Sequence, residues 1–201
     1  MDTSVLYLLI PLILVVLVVI WALTTYNRLI RQRNRLKEGW SGIDVQLKRR
    51  RDLVPNLVAT VKAYQEHERG LLEDVTRHRS AAAAATSVKD ASGAESVLAG
   101  DLGRLLMLAE AYPELKSNEQ FRELGSNLVK IEDELQYARR YYNGCARDQN
   151  NLVETFPNSL IASIFSFKTA DFFEVESAAV QLSPDLGKLL HSATEDQEAS
   201  E

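Results

Sequence analysis

Apolar positions along this chain fall into two patterns with different meanings. The first is an unbroken run from Val5 to Leu23. Nineteen residues of helix cover about 29 Å, the depth of a bilayer's hydrocarbon. The second pattern is a repeat in steps of 3 and 4. Leu29, Leu36, Trp40, Ile43 and Leu47 form one set, and Leu57, Val61, Tyr64, Leu71 and Val75 a second. A third comprises Leu98, Leu102, Leu105, Ala109 and Tyr112. The longest runs Phe121, Leu124, Leu128, Ile131, Leu135, Ala138, Tyr142, Cys145, Leu152 and Phe156, with one gap at Gln149. Such spacing lines up one face of each helix as a seam for its neighbours.

Turn and cap residues set the boundaries. Asp52-Leu-Val-Pro55 predicts a break, because proline lacks the helix N–H and restricts its predecessor. Thr86 to Gly93 is small and polar, as a loop would be. Ser92-Gly-Ala-Glu95 and Ser117-Asn-Glu-Gln120 have capping-box spacing. Pro113 and Pro157 stop helices. The predicted helices cover 24–51, 56–86, 94–112 and 118–155, and no segment alternates like a strand. The expected fold is all-α: an N-terminal transmembrane helix continuing into an antiparallel four-helix bundle with long helices. The expected organisation is a short tail at 1–4, an anchor at 5–25, a bundle domain at 26–174 and a disordered polar, acidic tail at 175–201.

The apolar run reads as an anchor that is kept. A cleaved leader needs a basic start, a shorter core and small residues at the cut. Here Met1-Asp-Thr-Ser4 has an acid and no base, and Trp21-Ala-Leu-Thr-Thr-Tyr26 is a poor cleavage site. Pro11 is tolerable early in a span. Trp21 and Tyr26 suit the interface. Arg28, Arg31, Arg33, Arg35 and Lys37 follow it closely, and basic loops stay in the cytoplasm. The expected arrangement is a membrane crossed once, with the bundle on the cytoplasmic side.

Charge changes the picture locally. The net charge is −5, against a nucleic-acid binder. Between Arg28 and Arg51, nine Lys or Arg face only Glu38 and Asp44. Asp44 and Lys48 stand four apart and can pair on one helix face. Asp52 and Asn56 can cap the helix expected after Pro55. Lys48, Arg49, Arg50 and Arg51 read as a solvated helix end whose cations suit the dipole, or as a contact for an acidic partner. About 40 Å of helix would hold them far beyond a Debye length from the lipid. Arg28 to Lys37 would lie among the headgroups. Phe165, Phe167, Phe172 and Phe173 are expected to cap the core, pack on the base of the first helix or dip into the interface. Asp44, Lys48, Arg49, Arg50, Asp52, Pro55 and Asn56 are the candidate interaction site or structural corner.

Catalytic signals are weak. His67, His78 and His191 form no i, i+4 pair, and Glu66-His-Glu68 spreads its groups over different faces. The Glu-x-x-His repeats of a di-iron bundle are missing. Cys145 lies on a seam, where a thiol behaves as a small apolar group. The chain has no phosphate loop, dinucleotide fingerprint or nucleophile elbow. The expectation is a non-enzymatic interaction or scaffold module, with no cofactor, metal, small-molecule substrate or nucleic acid, and with the membrane and an unidentified protein as partners. The alternative is a membrane-organising protein that binds anionic lipid through its basic base and Phe-rich segment.

Several motifs carry a resemblance. Trp40-Ser-Gly-Ile-Asp-Val-Gln-Leu-Lys-Arg-Arg-Arg-Asp-Leu-Val-Pro-Asn-Leu57 is similar to the bacterial LemA family, as are Tyr26-Asn-Arg-Leu29 and Val61-Lys-Ala-Tyr64. Leu115-Lys-Ser-Asn118, Ala138-Arg-Arg-Tyr-Tyr-Asn143, Phe156-Pro157 and Phe172-Phe-Glu174 extend the likeness over residues 26–174. Arg51 departs from it, standing where an aromatic or small residue is common. The resemblance implies a membrane-anchored helical bundle without an established biochemical activity.

Overall fold

The computed structural model describes residues 3–64 and 68–174, with side chains from residue 9 onward. The expected tails at 1–4 and 175–201, Glu66, His67 and His191 lie wholly or mainly outside the described residues. Six helices are described: α1 Thr3–Lys62, α2 Arg69–Ala84, α3 Val88–Ala111, α4 Pro113–Lys116, α5 Glu119–Glu154 and α6 Asn158–Ile164. No strand occurs among the described residues. The architecture is the expected all-α one, an apolar N-terminal helix that runs on into a helical bundle.

α1 corrects the predicted break at Pro55. It continues through the proline to Lys62. A mid-helix proline has no N–H for the carbonyl four residues earlier, here Arg51. The Arg79 Nε of α2 donates to that carbonyl at 2.8 Å. A side chain from a neighbouring helix thus replaces the missing backbone bond. Asp52 and Asn56 are therefore exposed mid-helix residues and cap nothing. The second predicted helix, 56–86, is divided instead, between the end of α1 and α2.

Helix starts also differ from the capping-box reading. α3 begins five residues before Gly93, capped by Ser87, whose hydroxyl accepts from the Asp90 N–H at 3.0 Å. Ser92 is interior and donates to the Glu174 carbonyl. α5 is capped by Asn118 rather than Ser117: Asn118 Oδ1 accepts from the Phe121 N–H at 2.8 Å. Both short side chains satisfy an amide that the first helical turn leaves free. Proline at the first position of α4 follows the end of α3 at Ala111.

The chain packs as two compact units, the first formed by Met1–Trp40 with Tyr141–Asp171, the second by Ser41–Arg140 and the chain from Phe172. In the first unit Leu29, Leu152, Ile161 and Ala162 form the core, with Trp21, Ala22, Tyr26, Val153 and Phe167 packed against it. Gly39 lets the helices approach closely; a Cβ there would lie 3.2 Å from the Tyr142 Cα. Gln149 is not a gap but a buried clamp. The segment after α6 returns along α5, and polar groups of α5 donate to its carbonyls. Gln149 Nε2 donates to Lys168 at 3.3 Å, Asn150 Nδ2 to Ala170 at 3.1 Å and the Tyr142 hydroxyl to Asp171 at 2.9 Å. Phe156, expected on the seam, is 75% exposed beyond the end of α5.

α6 ends in a Schellman turn. Phe167 N–H bonds the Ala162 carbonyl at 2.9 Å and Ser166 N–H bonds Ser163 at 3.2 Å. Ser166 holds a φ of 56° there, where glycine is the unstrained residue.

The second unit is built on the predicted seams. Val54, Leu57, Val61, Leu71, Val75, Leu98, Leu102, Leu105, Ala109, Phe121, Leu124 and Leu128 are buried in one cluster. Tyr64 instead lies at the surface, its hydroxyl accepting from Asn118 Nδ2 at 2.9 Å.

Candidate functional site

Two places gather the residues singled out by the sequence, one in each unit.

In the second unit the basic run of α1 is split by helical geometry. Successive residues turn by about 100°, so four adjacent cations face four directions. Lys48 and Arg49 face outward, and Arg49 pairs with the half-exposed Glu134. Arg50 continues the seam Ile43, Leu47, Arg50, Val54, Leu57 and is fully buried. The reading of Lys48 to Arg51 as a solvated helix end is thereby corrected for Arg50 and Arg51.

Arg50 Nη1 donates to Glu132 Oε1 at 2.7 Å, and Nη2 donates to the carboxylate of Glu95 and to its carbonyl, the latter at 3.2 Å. Arg51 Nη1 donates to the other Glu95 oxygen at 2.6 Å and reaches the Ala82 carbonyl in the last turn of α2 at 3.4 Å. Asp44 lies 3.8 Å from Arg51 rather than pairing with Lys48. Two arginines thus meet two glutamates from three helices, and the set is neutral. Burial by itself would lower the Arg50 pKa, but the charges of Glu132 and Glu95 and their hydrogen bonds outweigh it and raise it above its ordinary value. Arg50 is therefore always charged, and the corner is a lock between helices. Nearby, His78 Nδ1 meets the mostly buried Asp101 of α3, with Arg104 at 3.7 Å from the same carboxylate.

Glu95, Glu132 and Arg79 were missed from sequence. Glu95 had a signal: it replaces an apolar residue in the series Ala91, Glu95, Leu98, Leu102, Leu105. A seam position of opposite charge on another helix is the partner that the seam position of Arg50 requires.

In the first unit α1 meets α6 at its apolar end. Tyr26 packs at a tilt against Phe165, 4.7 Å between ring centroids, and edge-on against Phe167 at 5.9 Å. The Arg33 guanidinium lies over Phe167 at 5.4 Å. Phe165, Leu160 and Ile164 are largely exposed, as is the whole of α1 from Leu9 to Ile20. Arg28, Arg31 and Arg35 line a cavity of about 430 Å³, and Lys37 is exposed outside it. Phe172 and Phe173 do not join this group: they belong to the second unit, where Phe173 is fully buried and Phe172 partly exposed.

Cys145 is buried, and its carbonyl accepts from Gln32 Nε2 at 3.0 Å. Among the described residues no three His, Cys, Asp or Glu side chains are grouped as a metal site would need.

These features define a class: a helical-bundle protein whose first helix is long and apolar enough to cross a membrane. The LemA family profile matches residues 39–186, so the chain belongs to the LemA family. It is 31% identical over 86 residues to Magnetosome protein MamQ 2 of Paramagnetospirillum magneticum, covering 43% of this chain and 32% of that protein. It is 28% identical over 109 residues to Magnetosome protein MamQ of Magnetospirillum gryphiswaldense, covering 53% and 40%. Protein LemA of Metamycoplasma hominis is 26% identical over 150 residues, covering 74% and 68%. The match spans only about a third of the MamQ 2 chain.

Proposed function

We propose that this protein is a permanently anchored helical platform of the bacterial inner membrane, serving as a non-catalytic protein-interaction or scaffold module on the cytoplasmic side. The observation that carries the anchor is the join within α1. Leu9 to Ile20 are exposed, whereas Trp21, Ala22 and Tyr26 pack on the core of the first unit. A leader removed between Trp21 and Tyr26 would take core contacts with it, so an uncleaved anchor fits the packing better. The five cations after the span, Arg28 to Lys37, favour a cytoplasmic bundle. Support for an interaction role comes from exposed Val45, Val97, Met107 and Tyr137 in the second unit. A cavity of about 640 Å³ beside Val58 and Leu72, rimmed by Lys62, Arg69, Glu73 and Arg77, adds a surface with mixed charge.

The test joins fractionation to cross-linking. The full chain should stay in the membrane pellet through alkaline extraction, with an intact N-terminus by mass spectrometry. Recovery in the soluble fraction, trimmed past Tyr26, would overturn the anchor. Photo-cross-linkers at Val97 and Tyr137 should capture defined proteins in intact cells; recovery of lipid alone would favour the membrane-organising alternative.

A further inference from the structure

Arg28, Arg31 and Arg35 stand at i, i+3 and i+7 and share one face of α1. Like charges so placed repel one another along the helix. Among the described residues no carboxylate lies within ion-pair distance of any of the three. They line one wall of the 430 Å³ cavity, and the opposite wall is mostly neutral. Asn151 of α5, Thr155 just past its end and Asn158 of α6 bring amide and hydroxyl donors. The floor includes Gln32, whose amide is fixed on the Cys145 carbonyl. Asp148 is the single carboxylate in the lining. It precedes Thr155 by seven residues, about 10 Å along the helix, so it stands toward the opposite end of the cavity from the Thr155 and Asn158 donors.

Depth along α1 narrows the ligand. Arg28 follows Leu23, the last residue of the apolar run, by five residues, or about 7.5 Å of helix. A headgroup layer is about 5–8 Å deep on each side of the hydrocarbon. The Arg28 end therefore lies at phosphate depth if α1 spans a bilayer, which is the anchor reading above.

We propose that this cavity is a binding site for a phosphate oxyanion, held by the guanidinium forks of Arg28 and Arg31 with Thr155 and Asn158 completing the shell, and Arg35 closing the far side. Paired N–H donors match phosphate oxygens better than point charges do. The phosphate belongs to an anionic phospholipid headgroup or to a free phosphate species. A general attraction to a negative surface would need only the cations; the neutral donors facing them across a concave wall are what a discrete site adds.

The test uses the full chain in nanodiscs of phosphatidylcholine with about one-fifth phosphatidylglycerol, then native mass spectrometry after transfer to a neutral detergent. Wild type should retain phosphatidylglycerol, and the triple variant Arg28→Gln, Arg31→Gln, Arg35→Gln should retain at least about tenfold less, given the worth of each cation near an anionic surface. A control that removes equal charge elsewhere, Lys89→Gln, Lys116→Gln, Lys130→Gln, should fall less than about twofold. In the second arm, inorganic phosphate is titrated into the lipid-free chain in detergent. Saturable binding there, lost in the arginine variant but not the lysine control, assigns the site to free phosphate instead. Equal losses in both variants, or no loss in either arm, overturn the site. Alkaline extraction of the same membranes separates the two readings: a chain that stays embedded yet shows no selective retention refutes the cavity alone, and a chain that leaves the pellet refutes the anchor.

Discussion

One helix carries two sets of arginines that meet opposite fates. Arg50 and Arg51 of α1 are withdrawn from solvent in the second unit, while Arg28, Arg31 and Arg35 of the same helix line an open cavity in the first. The residue type and the helix do not separate them. What does is the chemistry opposite: Glu95 and Glu132 face the one set, and Asn151, Thr155 and Asn158, with Asp148 as the single acid, face the other. An arginine facing acids on two further helices becomes a structural bolt. Arginines facing mostly neutral donors keep charge available.

That contrast can be broken most severely at Glu95. Glu95→Ala leaves the fully buried Arg50 with half its compensation and should cost about 3–5 kcal/mol in denaturant unfolding of the detergent-solubilised chain. Replacing Arg50, Glu95 and Glu132 together by Met, Leu and Leu should recover most of that loss, because the charges then leave together. Next in size is Arg79→Met, which strips the Arg51 carbonyl of its donor and should cost about 1 kcal/mol. In a Pro55→Ala background the same change should cost less than about half as much, since the alanine N–H restores the helix bond; equal costs in both backgrounds would refute the repair. Ser166→Gly should stabilise the chain by up to about 1 kcal/mol by relieving the left-handed backbone at φ 56°.

The smallest effects are the most discriminating. Arg50 has a folded pKa raised above its unfolded value, so its contribution is fully present below the unfolded value and is lost only as pH rises through the folded one. Both lie above any ordinary assay, so the stabilisation from Arg50 should be flat between about pH 6 and 10. The triple glutamine variant of Arg28, Arg31 and Arg35 should leave the unfolding midpoint unchanged while altering ligand retention. A large drop in stability would place those residues with Arg50 and end the comparison.

Much of the fold was legible because seams are periodic. Leu98, Leu102 and Leu105, or Phe121, Leu124 and Leu128, declare their face by spacing alone. α5 was read to within a residue at each end, since the box Ser117-Asn-Glu-Gln120 and Pro157 are local signals, although Asn118 is the residue that caps it. The failures share one cause: they depend on residues distant in sequence. Pro55 reads as a helix end unless Arg79 is known to reach its neighbourhood. Arg50 reads as solvated unless Glu95 is seen across the seam. Gln149 reads as a gap unless the returning backbone at Lys168 is in place. The cavity around Arg28 was half legible, its cations in one stretch and its mostly neutral wall more than a hundred residues later.

The donation from Arg79 to the Arg51 carbonyl has a consequence for how the N-terminal helix can be made at all. Alone, the polypeptide up to residue 64 has an orphaned acceptor one turn before Pro55, and a helix emerging by itself favours stopping there. Only the arrival of α2 supplies the donor that carries the spiral on to Lys62. The stretch beyond Arg51 is thus conditional on a later piece of the chain, and a shortened protein ending ahead of Arg69 should lose its last turns while keeping those through the apolar segment.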